Sequence, residues 1–345
     1  MSTLLERFPV SWFRAVLLIV AAVQLAACGG GGGYGGGGGN MPVAGVGPSK
    51  FFAADSTDRV IGSLANPDPA TGSLTVDRVI GPGLFNYAGF TTNIGSLALD
   101  TTRDYLYVGN GTSVLVFYGA STANGDLFTN ATFGSIGNTG SMFLDAPGDR
   151  LYVGDDVNNV KVYSPASTAN SLSAPRLVTG MTTPIHGVAV DTTKNILYVS
   201  NDTGSTTHQI MVFDNADTVT IAGPSRTITP TVAAVNLAVG GIALDATRDL
   251  LYVAPGTGVN GIMVFGTAST ANGAIAPAKT LTITSATGIL KVAVDAVHDR
   301  LYAVGSNGHV YLIEAVSTLS SGVATAKDAS LSNGGTLTAV AVNPN

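Results

Sequence analysis

From residue 97 onward the apolar residues come in short alternating bursts separated by polar turns, not in helical periods. One phrase recurs: LALDTTRDYLYVGN from Leu97, MFLDAPGDRLYVGD from Met142, VAVDTTKNILYVSN from Val188, IALDATRDLLYVAP from Ile242 and VAVDAVHDRLYAVG from Val292. Each copy alternates small and apolar residues up to an Asp, crosses a three-residue turn to an Asp or Asn, and resumes with Leu-Tyr-Val or Leu-Tyr-Ala. That pattern predicts two short strands joined by a tight turn. A third burst follows every copy: VLVFYG from Val114, VKVYSP from Val160, IMVFDN from Ile210, IMVFGT from Ile262 and VYLIEA from Val310. Next comes a turn, written ASTANG at Ala120 and Ala268 and ASTANS at Ala166, whose Asn and Gly tolerate the left-handed conformations that turns need. A weaker fourth strand closes the unit, as in SRTITP from Ser225 and AKTLTI from Ala278.

The anchoring aspartates Asp100, Asp145, Asp191, Asp245 and Asp295 are spaced by 45, 46, 54 and 50 residues, the range for one four-stranded propeller blade per repeat. The two ends complete one another. Residues 51–82 read as strands two to four of a blade without the first, and LTAVAVNPN at the C-terminus supplies a first strand without the others. Joining them closes a ring and removes two exposed sheet edges. With inner strands near Leu97, Met142, Val188, Ile242, Val292 and Ala339, the expectation is an all-β, six-bladed propeller of four-stranded antiparallel blades. The phrase resembles the NHL repeat and its relatives, which share a V-A-V-D-type strand, a turn, L-Y-V and then V-x-V-F in six-bladed propellers. The resemblance covers nearly all of residues 50–345. It departs at the turn, where D-x-x-x-[DN] replaces the commoner glycine-centred form.

Ahead of the repeats the pattern changes. Arg7 and Arg14 precede the apolar run AVLLIVAAV at residues 15–23, and Leu25-Ala26-Ala27 leads into Cys28, the single cysteine. This is the three-part order of an export signal, and the apolar stretch falls short of the roughly 20 residues that span a bilayer. Leu25-Ala26-Ala27-Cys28 resembles the bacterial lipobox at every position, which implies cleavage before Cys28 and acylation of both its thiol and its new amine. Two or more acyl chains anchor stably where one holds only marginally. Gly29 stands where inner-membrane lipoproteins usually show Asp, so the resemblance implies an outer-membrane address in the cell envelope. From Gly29 to Gly39 every residue is glycine except Tyr34, the composition of a flexible tether. The chain thus divides into a signal peptide (1–27), a lipidated cysteine with its tether (28–49) and the propeller (50–345).

Composition narrows the function classes. The chain has 16 basic and 22 acidic residues, and without the leader 14 and 21, so nucleic acid is not an expected partner. With one cysteine there is no intramolecular disulfide, and the fold must stand on its core. No G-x-S-x-G elbow, H-E-x-x-H helix or P-loop occurs in the propeller, so no catalytic residue, metal or cofactor is assigned. The repeated aspartates read as turn caps that accept backbone N–H bonds, and the repeated tyrosines as fillers of the gaps between blades rather than a sugar-binding surface. Asp155-Asp156-Val157-Asn158-Asn159 offers calcium-like oxygens without the order of a calcium loop.

One position breaks the repeat. Four residues before each repeat Asp, or before Asn343, stand Ser96, Ser141, Gly187, Gly241 and Ala339, but the sixth residue is Lys291. His186 precedes an inner strand, while His208 and His309 precede third strands, and propeller geometry puts all three on the face bearing the loops between strands two and three. Lys291, His186 and His208, joined by His309 and Asp156, form the candidate pocket for an anionic or metal-bound ligand. The plainer reading has Lys291 only reaching water. The leading expectation is a monomeric, lipid-anchored binding or scaffold module with a protein, peptide or glycan ligand on one face. The alternative is an envelope hydrolase or lyase, lactonase-like, with its site at the mouth of the central channel.

Overall fold

The computed structural model describes residues 51–64, 76–81, 89–90, 94–134, 137–181, 184–202, 208–220, 223–231, 240–330 and 336–342. The leader, Cys28 and the glycine tract lie outside them. The described chain is a six-bladed β-propeller, each blade an antiparallel meander. From the axis outward, blade one is Leu337–Val342, Phe51–Asp55, Val60–Leu64 and Arg78–Ile80. Blade two is Ile94–Asp100, Tyr105–Asn110, Ser113–Tyr118 and Ala131–Phe133. Blade three is Thr139–Asp145, Arg150–Asp155, Val160–Tyr163 and Arg176–Val178. Blade four is Ile185–Asp191, Ile196–Asp202, His208–Asp214 and Arg226–Pro230. Blade five is Ile242–Asp245, Leu250–Val253, Gly261–Phe265 and Lys279–Thr282. Blade six is Gly288–Asp295, Arg300–Gly305, His309–Glu314 and Ala326–Ser330. The C-terminal strand pairs with the N-terminal one, Phe51 opposite Val342 and Ala54 opposite Ala339, so the ring closes as the complementary ends require.

The core lies between blades. Six clusters each draw on two neighbours: Ile80 meets Phe117, Tyr107 meets Tyr163, and Tyr152 meets Val199. Further round the ring, Tyr198 meets Phe265, Tyr252 meets Ile313, and Tyr302 meets Phe51. The five repeat tyrosines are therefore buried wedges, and Tyr302 lies 4.9 Å from the Phe51 ring across the closing seam. A buried aromatic removes about 150–250 Å² from water, which suits it to a gap that widens away from the axis. Burial raises the Tyr302 phenol to about 12 and pushes Tyr107, Tyr198 and Tyr252 higher still.

Both acidic positions of the turn phrase have structural duties. The first caps the turn: Asp100 Oδ1 accepts the N–H groups of Thr102 and Arg103, each at 2.9 Å, Asp191 and Asp295 do the same for their turns, and Asp245 accepts the Arg248 N–H. The second sits at positive φ (Asp104, Asp149, Asn195, Asp249 and Asp299) and fastens the turn between strands three and four. Asp249 accepts both the N–H (3.0 Å) and the hydroxyl (2.7 Å) of Ser269, and Asp104, Asp149 and Asp299 hold Ser121, Ser167 and Ser317 alike. In blade four the chemistry is exchanged: Asn195 faces Asp217. The sequence reading took the repeated aspartates as turn caps and missed this second lock.

Successive blades are also latched at the rim. Gly273–Ile275, beyond the turn of blade five, runs parallel to the outer strand of blade four, and Gly322–Val323 of blade six does so along blade five. Gly125 bridges back to Val79 and Gly81 of blade one. All three glycines have positive φ, which turns the chain back toward the preceding blade without steric penalty. This covers outer edges that would otherwise invite pairing with another chain.

Candidate functional site

The innermost strands carry a repeated irregularity. Their register slips at Gly95, Gly140, His186, Leu290 and Thr338, each a β-bulge in which one residue has no partner on the second strand. Such a residue drops out of the ladder and frees its backbone polar groups for other partners. Glycine is required at two of these points: a Cβ on Gly95 would lie 1.9 Å from the Thr139 carbonyl oxygen, and one on Gly140 2.1 Å from that of Ile185. The residue after each bulge is the ring position singled out in the sequence. Ser96, Ser141, Gly241, Lys291 and Ala339 line one cavity in the central channel, with a volume of about 50 Å³.

Lys291 crosses this channel. From blade six its Nζ donates to the bulge carbonyls of Gly140 in blade three and His186 in blade four, both at 2.7 Å. Surrounded by protein, its ammonium has lost most of its hydration, and burial lowers its pKa from the ordinary 10.5 to about 8. Around the cavity, Ser141 Oγ accepts the Val188 N–H at 3.0 Å, while the buried Ser96 Oγ has no partner among the described residues. Leu97, Met142, Val188, Ile242 and Val292 supply apolar wall.

The other candidate residues sit around this channel end in their own local pairings. His186 lies inside its strand, at the bulge, rather than before it, and it is its backbone carbonyl that meets Lys291. His208 and His309 are the first residues of their third strands, not loop residues. His309 stacks on Tyr311 and places Nδ1 3.6 Å from Asp328 Oδ2. Asp156 accepts Asn138 Nδ2 at 2.8 Å. Next to it, Asp155 Oδ1 accepts the N–H groups of Val157 and Asn159 and its Oδ2 pairs with Lys161 at 3.1 Å, so the calcium-like stretch folds as a capped turn. His208, His309 and Asp156 do not line the cavity that holds Lys291. The meander nonetheless brings all of them to one face, because first strands begin, and second strands hand over to third strands, at the same end of every blade.

Sequence reasoning found Lys291 as the residue out of pattern but not its partners, which are main-chain oxygens. The available signal was the glycine immediately before several ring positions, Gly95, Gly140 and Gly240, two of which mark bulges.

With this geometry in hand, the comparisons speak to architecture alone. A chain in the crystal structure of a nidogen/laminin complex superposes with a TM-score of 0.60 at 14% identity, over 85% of this chain and 98% of that one. The likeness shows the fold. No family model matches the sequence, and no curated protein matches it.

Proposed function

We propose that the chain is a lipid-anchored propeller of the cell envelope, a binding module that holds a protein partner on the face where the loops between strands two and three emerge. One observation carries this reading: the repeated polar side chains are occupied in joining strand to strand and blade to blade. Asp100, Asp191, Asp245 and Asp295 cap turns, and Asp104, Asp149, Asp249 and Asp299 lock the next turn. His186, His208, His309 and Asp156 break the repeat and give one face its identity. The similar solved chain comes from a complex between two proteins, which agrees with a protein ligand. The lipobox and the glycine tether support an anchored body that stands off the membrane, in the outer membrane by the residue after Cys28.

The test is capture from envelope extracts with the full chain, alongside a variant carrying His208→Ala, His309→Ala and Asp156→Ala. The wild type should retain a partner that the variant loses while the two melt alike. Equal retention by both would remove the ligand from this face. Cys28→Ser should take up no labelled palmitate and leave the membrane fraction; a variant that stays there, labelled as before, would overturn the anchor.

A further inference from the structure

We propose that the outer edge of blade two is a pairing surface for a second copy of this chain, joined as an antiparallel strand about a two-fold axis at Thr132. The surface lies on the rim and is independent of whatever the loop-bearing face binds. It stands out when equivalent residues of the blades are compared. Thr132 lies opposite Leu115 as Val79 lies opposite Gly62, Thr227 opposite Met211 and Thr280 opposite Met263. The N–H of each of those three is taken by the following blade, through Asn124 Oδ1 at 3.0 Å, Asn272 Oδ1 at 3.4 Å and Ser321 Oγ at 3.2 Å. Asn170 of blade three holds the corresponding place in its turn, but its Oδ1 accepts the Leu172 N–H at 2.9 Å and its own N–H goes to Ser173 Oγ at 3.0 Å. The ASTANS turn is thereby closed on itself. No described residue of blade three pairs with Ala131–Phe133, and Leu172 stands 92% exposed.

The sequence supplies the reason the latch is missing. The outer strands of the other five blades carry Arg78, Arg176, Arg226, Lys279 and Lys327 at one register position, where blade two has Ala131. In three of them the cation donates to carbonyls of the following blade's turn: Arg78 to Ser121, Arg176 to Ala216 and Lys279 to Val316. Ala131 has no such arm to draw the turn of blade three onto blade two. Its edge therefore lacks the devices that blunt an exposed strand: a covering segment, a charged residue or a proline. Charge and symmetry then select the occupant. Two copies of a chain of net charge −6 repel unless they meet through neutral surface. Residues 127–134 and 162–175 contain no Asp, Glu, Lys or Arg. The Val79 carbonyl accepts the Gly125 N–H, so N–H and C=O at this register position both face outward. In an antiparallel pair centred on Thr132 each copy then donates that N–H to the Thr132 carbonyl of the other, and the contact closes on itself.

The experiment uses the full chain carrying Cys28→Ser, which removes acyl chains as a cause of association. Its mass is followed by sedimentation velocity across about 5–500 µM, the range in which a small interface shows itself. The protein should pass from one copy to two as concentration rises. Thr132→Lys sets like charges opposite each other across the axis; it should weaken dimerisation at least about tenfold and melt as before, since the side chain it replaces is exposed. In the same background Thr132→Cys is the only thiol, and a short bismaleimide should join two copies through it far faster than through Val297→Cys, in an exposed turn of blade six. A single copy at every concentration, equal association by Thr132→Lys, or equal cross-linking at the two cysteines would overturn the proposal. So would a monomer that captures a foreign protein through Thr132.

Discussion

Lys291 offers a perturbation whose sign can be worked out in advance. Its ordinary pKa of 10.5 falls to about 8 in the channel because burial penalises the charged form. Below about pH 8 the lysine is protonated whether the chain is folded or not, and the folded state bears the whole cost of the buried charge. Between about 8 and 10.5 the unfolded chain keeps a proton that the folded chain has released, so stability rises with pH across that window. At about 1.4 kcal/mol per pH unit, and allowing for the part of the side chain that still meets solvent, the rise is about 2–3 kcal/mol. In a chain of this size that is a gain of about 5 °C in melting temperature. The neutral amine still has two N–H groups for the Gly140 and His186 carbonyls, so deprotonation relieves the charge without breaking the crossing. Lys291→Met is the control. It leaves both carbonyls without their donor, a cost of about 1–3 kcal/mol each that does not vary with pH. The assay is urea unfolding of both proteins from about pH 7.5 to about pH 10.5. Tyrosine titration is common to both and cancels in the difference. The wild type should gain about 2–3 kcal/mol on the variant across the window. Parallel profiles would refute the reasoning.

Deleting residues 337–345 removes the innermost strand of blade one and strips the partner from Phe51–Asp55. The melting temperature should fall by more than about 10 °C or the chain should aggregate on gel filtration, and an unchanged melt would contradict a closed ring. Asp249→Asn and Ser269→Asp together should rebuild at blade five the Asn195–Asp217 pair of blade four. Each single change should cost about 1–2 kcal/mol and the double should recover most of it, so additive losses in a double-mutant cycle would sink the exchange. Gly273 has φ +80° with no atom within 4 Å of an added Cβ. Gly273→Ala should therefore cost only the backbone term, about 1–2 kcal/mol in urea unfolding, and a neutral substitution would show that the latch does not need the left-handed turn.

Much of the architecture was legible in order along the chain because its causes are local. Alternation at period two writes a strand, Asp followed by a polar turn writes the reversal, and repetition at about 50 residues writes the blade. The closing strand was readable too, since LTAVAV lacks partners of its own and Phe51–Asp55 lacks an inner neighbour. Even the turn lock has a trace in sequence: Asp104, Asp149, Asp249 and Asp299 go with Ser121, Ser167, Ser269 and Ser317, and the one Asn at that position, Asn195, goes with Asp217. Other features belong to the tertiary structure. Ser171 in ASTANS stands where Gly125 and Gly273 turn back to latch the preceding blade, yet that duty is visible only once two blades lie side by side. The channel shows the limit most sharply. Lys291 stood out as a cation among small residues, and His186 was read as an imidazole to accompany it. The structure instead brings the carbonyl oxygens of Gly140 and His186 to the ammonium, from residues 151 and 105 positions away. Every residue has such an oxygen, so side-chain identity cannot announce it. Only the bulges, set by how the innermost strands pair, free those oxygens, and only closure of the ring brings them within reach of Lys291.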